Sequence, residues 1–479
     1  MLFKIERLLL ETEYLSVIVV GFFLFLLVSL VITYKKRKDF IFSTPFDSII
    51  LILLYLSLFL GGPRGTQELI HQPVDKIRLV RIAVMISLIS TIGVKQFVEK
   101  KITLFQFRGA IGLMTIYSVM AMLSAVYSPM PLLSLWKGFE VFTFVFIFSY
   151  FLAKITTLPQ LEKFINLNWI ILVSILVTVY IGAFATPERA FKQIPGALLP
   201  YQLMGVWPHI NPNTLAEISA ILSLVILSRL LQVNFFSKKA IAYGGMLIIT
   251  LLTLILSQSR TSLFAFGLGT IVLLIFYKRP LLLFYTFLLL VVLILLPQAT
   301  NIFTNYVLRG QKLEFFYSMS GRLYFWPLVW KIFKQSPLIG YGFYAGHRVG
   351  FYSIVMKRYG VGGLSTFDNT YLDVLFGIGL IGIIPFLSAI ATIWKRFLFS
   401  LRDNKFPSEY QNRWETIKIE IFCVFLIIMA RSFTGPSFHI FHISLPLLLV
   451  IAVSTEVMLD IIKRGSIKTQ KFNESIISP

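Results

Sequence analysis

The chain has 479 residues, of which 57% are hydrophobic, 15% aromatic and only 14% charged, with a mean hydropathy of +0.81. A soluble globular protein carries about a quarter of its residues charged, so this composition excludes a cytosolic enzyme, a secreted module and a disordered chain, and points to a bilayer. The 44 Lys and Arg against 22 Asp and Glu leave a net +22, which in a soluble protein would raise nucleic acid as a partner. In a membrane chain such charge belongs to the loops, and no nucleic acid is expected. The lone Cys423 falls in an apolar run and permits neither an internal disulfide nor a cysteine-built metal site.

Met1 to Glu13, with Glu6, Glu11 and Glu13 against Lys4 and Arg7 and no small-residue cleavage site, reads as a retained segment rather than a signal peptide. Apolar runs long enough to cross about 30 Å of hydrocarbon then follow one another, about thirteen in all. They are Leu15 to Tyr34, Pro45 to Gly62, Leu79 to Val94, Gly109 to Tyr127, Leu132 to Ala153, Phe164 to Ala183, Thr214 to Leu231, Ala240 to Leu256, Thr261 to Tyr277, Leu281 to Pro297, Thr370 to Trp394, Ile419 to Phe433 and Ile440 to Leu459. The expected fold class is therefore all-α, a polytopic integral membrane protein, with residues 1–479 forming one membrane domain. No internal repeat or low-complexity tract breaks it.

Basic residues accumulate in alternate links, at Lys35 to Lys38, Lys95 with Lys100 and Lys101, Lys238 and Lys239, Lys278 and Arg279, Lys395 and Arg396, and from Lys463. The positive-inside rule assigns those links to the cytoplasm and the N-terminus to the outside. Two outward links are long. One runs from Phe184 to Asn213; the other, residues 298–367, far exceeds an ordinary connection and is expected to be functional. It carries Arg309, Lys312, Arg322, Lys331, Lys334, Arg348, Lys357 and Arg358 against the single acid Glu314, the reverse of what the same rule expects outside. Within it, Gly321 to Gln335 places Leu323, Trp326, Trp330 and Phe333 on one helical face, with Arg322, Lys331 and Lys334 at its margins, the pattern of an interfacial amphipathic helix.

Four segments are candidates for chemistry. Ser257 to Ser262 (SQSRTS) joins two apolar runs on the outer side: either Arg260 snorkels to head-groups while the hydroxyls cap the next helix, or Arg260 and the free amides of that helix clasp an anion. Ser320-Gly321-Arg322 sets a second guanidinium at the start of the amphipathic segment. Ser336 to Gly342 (SPLIGYG) has glycines, but no strand precedes it and no βαβ unit surrounds it, so it reads as a turn rather than a dinucleotide fingerprint; Tyr344, His347 and Arg348 follow on the same outward surface. Asp368-Asn369 begins a helix at the membrane boundary, where Asp368 is either an N-cap or, facing a basic loop, a general base.

Lesser signals are Asn211, Asn213 and Glu217, suited to sugar hydroxyls or to a plain helix-start turn. Lys137 and Glu140, one turn apart near a helix end, are expected to pair. Arg431, His439 and His442 flank the last outward turn. The histidines show no metal-ligand spacing, so no protein-built metal site and no cofactor are expected.

In chain order, SQSRTSL at 257–263, GRLYFWPLVWKIFKQSPLIGYGFY at 321–344 and DNTYLDVLFGIGLIG at 368–382 resemble the successive signatures of the O-antigen ligase and polymerase superfamily. SAVYSPMPLLSLWKGFE at 124–140 and NPNTLAE at 211–217 resemble weaker upstream features of the same group. The resemblance implies a glycosyltransferase of the bacterial inner membrane. It would work at the outer face on a glycan carried by polyprenyl pyrophosphate, without nucleotide or metal and with inversion. On that reading Arg260 and Arg322 hold the departing pyrophosphate and Asp368 takes the acceptor proton. Arg348, His347, Asn369, Lys331, Lys334, Asn211 and Asn213 contact substrate. The ligases of this superfamily usually have His-Asn where this chain has Asp368-Asn369, a departure that resembles the repeat-unit polymerases. A polymerase is therefore expected, with a lipid A core ligase as the alternative and a lipid-linked oligosaccharide flippase as the alternative of another class. Membrane lipids, a chain-length regulator and a flippase are the expected companions.

Overall fold

A computed structural model describes residues 45–61, 65–98, 106–234, 236–319, 321–354, 367–402 and 408–477. The first expected run, Leu15 to Tyr34, and the loop residues Lys357 and Arg358 lie outside them. Each of the other twelve runs coincides with a helix. In order these are α1 (Pro45–Ser57), α3 (Lys76–Val98), α4 (Gly109–Leu123), α5 (Pro131–Lys154), α6 (Leu158–Ala185), α7 (Pro212–Leu230), α8 (Lys238–Leu256), α9 (Arg260–Phe276), α10 (Pro280–Leu295), α14 (Thr370–Arg402), α15 (Ser408–Ser432) and α16 (Ser444–Ile477). Between them lie α2 (Thr66–His71), α11 (Pro297–Leu308), α12 (Leu313–Tyr317) and α13 (Arg322–Phe333), plus one hairpin of β1 (Phe191–Gln193) with β2 (Tyr201–Leu203). The fold is all-α and polytopic.

Among the described residues, eight helices are long and apolar enough to cross a membrane, α3 to α8, α14 and α16. This is fewer than the expected thirteen. The apolar stretches of α1, α9 and α10 are shorter, and the first half of α15 carries Glu409, Arg413, Glu415, Lys418 and Glu420. Burial sorts the spans: 78% of the apolar window of α7 and of α16 is buried, against 22% for α8, so the first two form the centre and α8 presents its apolar face outward. Close crossings rest on small residues, as expected where lipid offers no hydrophobic drive between helices. A Cβ on Gly138 would lie 2.6 Å from the Met122 amide nitrogen, and one on Gly269 2.7 Å from Leu224 Cδ1. Polar side chains inside the bundle find partners, among them Tyr55 donating to Asn168 Oδ1 at 2.8 Å and Ser223 donating to Thr250 at 2.9 Å.

Both ends of the bundle gather cations. At the end assigned inside, cations meet carboxylates: Arg229 with Glu420, Lys154 with Asp47, Arg396 with Glu456 and Arg108 with Asp460. The opposite end, called outer below, gathers Arg78, Arg81, Lys137, Arg260, Arg309, Arg322, Arg348 and Arg431 near the starts or ends of their helices.

The Ser336 to Gly342 turn does more than leave α13. Helix α14 is broken at Gly379, whose φ of 63° and ψ of −162° are open to glycine alone. The turn fills the break with main chain: Tyr341 and Gly342 N–H donate to Phe376 and Gly377 O at 2.9 and 2.8 Å, and Leu380 and Ile381 N–H donate to Pro337 and Leu338 O at 2.9 and 3.1 Å. A Cβ on Gly379 would stand 2.2 Å from Leu338 O. Gly379→Ala is accordingly expected to cost about 2–5 kcal/mol, from backbone strain and overpacking together, read as a lower unfolding midpoint of the detergent-solubilised protein. An unchanged midpoint would show that the break relaxes without the glycine.

Candidate functional site: an arginine-lined outer cavity

The polar hexad between α8 and α9 is held by the hairpin link. Gln258, with φ +50°, donates from Nε2 to Leu199 O at 3.0 Å and Tyr201 O at 2.9 Å, while Gln202 Nε2 reaches Ser257 O at 2.7 Å. Its hydroxyls do not cap α9 as one sequence reading had it. Ser259 makes no side-chain cap bond and donates instead to Ser262 Oγ at 3.2 Å. The sharp turn releases Arg260 as the first residue of α9, where its Nη2 meets Gln311 Oε1 at 2.6 Å and its guanidinium lies 5.0 Å from the centre of the Phe316 ring.

Three more guanidinium groups converge on the same place. Arg309, left-handed at the end of α11, donates to Gln258 O at 3.2 Å. Arg322 follows Gly321, whose φ of +86° sets the entry to α13. Arg431, near the end of α15, pairs with Glu217 at 3.5 Å. With Asn213, Ser259, Thr261 and the rings of Phe316 and Tyr317 they line a cavity of about 350 Å³. Arg260 and Arg309 have no carboxylate partner among the described residues and lean on neutral acceptors. Burial and the nearby Arg322 push Arg309 below its ordinary value, so bringing a negative charge into the cavity relieves a cost already present.

Asp368 stands beside this cavity. Arg322 Nε donates to its Oδ2 at 3.0 Å. The N-cap reading of Asp368 is overturned by one position: Asn369 Oδ1 accepts from the amides of Tyr371 and Leu372 at 3.0 and 3.1 Å, which is the capping role, while Asp368 turns away with φ +50°. The turn is fixed from several sides. Asn369 Nδ2 donates to Phe433 O at 3.1 Å, Thr370 Oγ1 to Gly435 O at 3.0 Å, Trp326 Nε1 to Phe367 O at 3.1 Å, and the Phe367 amide to the buried Asp373 Oδ1 at 3.2 Å.

The remaining candidates scatter. Asn213 opens into the arginine cavity, but Asn211 caps α7 by accepting from the Thr214 amide at 2.8 Å and faces a different cavity. Arg348 lines that other cavity too. His347, expected on an outward surface, is sealed, 1% exposed, with no hydrogen bond to either ring nitrogen among the described residues; burial and Arg348 hold its pKa down to about 3, leaving it neutral. Lys331 and Lys334 are exposed and line neither cavity. The face of α13 that packs inward is Val329, Ile332 and Phe333, with Trp326 half-buried, whereas Leu323 and Trp330 of the anticipated face are 43% and 46% exposed. Lys137 and Glu140 pair as expected at 2.7 Å, and Arg81 joins them at 2.8 Å. Arg309 and Arg431 were legible as outward charges but not as members of one site; no local signal sets them apart from the neighbouring lysines.

A polytopic membrane fold with an arginine-lined cavity at one end and a carboxylate beside it defines the class: an integral membrane protein with a cationic cavity suited to an anion. Residues 245–387, from within α8 into α14, match the family model described as O-antigen ligase, and this supports the O-antigen ligase and polymerase superfamily as that of the chain. The matched stretch is under a third of the chain and contains Arg260, Arg309, Arg322 and Asp368. No curated protein matches the chain.

Proposed function

We propose that this protein is a glycosyltransferase that joins oligosaccharide repeats carried on polyprenyl pyrophosphate into a longer polysaccharide, at the outer face of a bacterial inner membrane. The observation that carries the reading is the meeting of Arg260, Arg309, Arg322 and Arg431 around one cavity, with Asp368 bound to Arg322 at its edge. An acceptor hydroxyl oxygen attacks the anomeric carbon of the donor. The carbon–oxygen bond to pyrophosphate breaks, its electron pair leaving with the polyprenyl pyrophosphate, and the hydroxyl proton passes to Asp368. Attack opposite the leaving group inverts the anomeric centre in one displacement. The guanidinium groups match the negative charge that grows on the leaving oxygens, a contribution of about 3 kcal/mol for each well-placed donor. Asp368, positioned by Arg322 and by a fixed turn, supplies a carboxylate next to that charge.

The alternative of a ligase, transferring a finished glycan to a lipid A core, is favoured by the description of the matched family. The two separate in vitro. Purified protein given only a defined lipid-linked repeat forms a ladder of products if it is a polymerase. Single transfer that appears only after a lipid A core acceptor is added would make it a ligase. Movement of the lipid-linked repeat across vesicles without any new glycosidic bond would make it a flippase.

A further inference from the structure

Beside the arginine cavity lies a second one of about 310 Å³, on the far side of the Asn211–Thr214 segment: Asn213 opens into the first, Asn211 and Thr214 into the second. Its walls carry Arg78, Arg81, Lys137 and Arg348, while no carboxylate lines it among the described residues. Three of these cations are nearly buried, at 7%, 4% and 8% exposure for Arg78, Arg81 and Arg348. Glu140, behind the wall, takes both Lys137 and Arg81, Asp75 takes Arg78, and the buried Asp373 lies within electrostatic reach of Arg348. Arg81 Nε, also buried, has no hydrogen-bond partner among the described residues. Four cations thus share three acids, none of which lines the cavity, so an anion entering it meets guanidinium groups already gathered and desolvated. Phe59, Leu69 and Phe441 add apolar surface to the lining, the Phe441 ring centre lying 4.6 Å from the Arg81 guanidinium.

The two cavities are joined through buried side chains. Arg431 of the first pairs with Glu217; Ser444 Oγ donates to Glu217 at 2.6 Å; His442 Nδ1 is 2.8 Å from Ser444 Oγ; His442 Nε2 is 3.0 Å from Thr214 Oγ1 in the second. Burial and Arg431 lower the pKa of His442, against the opposing pull of Glu217, so a neutral ring stands between Thr214 and Ser444 in this run. Transfer between two lipid-borne glycans brings two anionic substrates to the same face, and the first cavity is the one assigned above to the leaving pyrophosphate.

We infer that the second cavity is an anion-binding chamber for the acceptor substrate, taking either the diphosphate of a second carrier lipid or an acidic sugar of its glycan. This rests on the glycosyltransferase reading of the first cavity. The full chain in nanodiscs is titrated with two probes, sugar-free polyprenyl pyrophosphate and a lipid-free oligosaccharide containing uronic acid, and bound equivalents are counted by native mass spectrometry. Two equivalents of the lipid, or one of each probe, are expected. Arg78→Gln with Arg348→Gln should weaken the second equivalent at least tenfold and spare the first, whereas Arg260→Ala should do the reverse. Which probe fills the second position identifies the anion. A wild-type protein that binds one lipid pyrophosphate and no acidic oligosaccharide overturns the chamber, without relying on any variant to fold. Two bound equivalents with no ladder leave the chamber standing and remove the polymerase; a ladder with a single bound equivalent does the opposite.

Discussion

Replacing Arg322 by Ala is expected to slow ladder formation by about a hundred- to a thousandfold, the loss seen when one donor to a developing oxyanion is removed. Arg260→Ala should act similarly, and in cells both should leave lipid-linked single repeats accumulating on the outer leaflet. The grounds are geometric. Arg260, Arg309 and Arg322 lie close enough to repel one another, and Arg322 also binds the Asp368 carboxylate. Arg322 therefore touches both the cavity and Asp368, so its loss should exceed that of Arg309, which is further tied to the Gln258 carbonyl. Arg260→Lys keeps the charge and loses the fork, and should recover only part of the rate. Equal turnover in Arg322→Ala and the wild type would remove the cavity from the chemistry.

The second large effect concerns Asp368→Asn, expected to reduce turnover by about a hundred- to ten-thousandfold. This substitution is unusually clean. Asparagine tolerates the left-handed φ of +50° better than most residues, and the helix cap belongs to Asn369, so α14 keeps its start. The ion pair lost is part-exposed, its side chains 20% and 31% accessible, and is worth about 0–1 kcal/mol. Unfolding midpoints of the two proteins should thus nearly coincide while their rates diverge. Wild-type turnover in Asp368→Asn would reduce Asp368 to a clamp on Arg322. Histidine at the same position, the residue the resembling ligases carry, tests whether a different proton acceptor restores turnover.

Much of the framework could be read before any coordinates, because a run of some twenty apolar residues has few options in lipid and α4, α5, α6, α7 and α8 begin and end within a few residues of where hydropathy puts them. Arg260 and Arg322 were equally visible, being cations in outward links that topology rules disfavour. What failed was convergence. Lys331 and Arg322 share one short helix, yet the first faces away and the second lines the cavity, since the packing face of α13 is set by Val329, Ile332 and Phe333 rather than by the strongest hydrophobes in the segment. Arg431 joins from the far end of α15, more than a hundred residues later in the chain, paired through Glu217, a contact between α15 and α7 that no local pattern encodes. The capping role likewise moved from Asp368 to Asn369 because the turn is pinned by Phe433 and Gly435, residues distant in sequence.

The main-chain ladder that seats residues 337–342 in the gap at Gly379 asks nothing of side-chain hydrogen-bonding groups. It behaves as a keel: residues 337–342 stay seated against α14 whatever side chains decorate them. Anyone seeking to retune this protein toward a new sugar therefore has separate territories, with libraries best aimed at the Asn211–Thr214 divider and the aromatic rim at Phe316 and Tyr317, and the glycines of the keel left as they are.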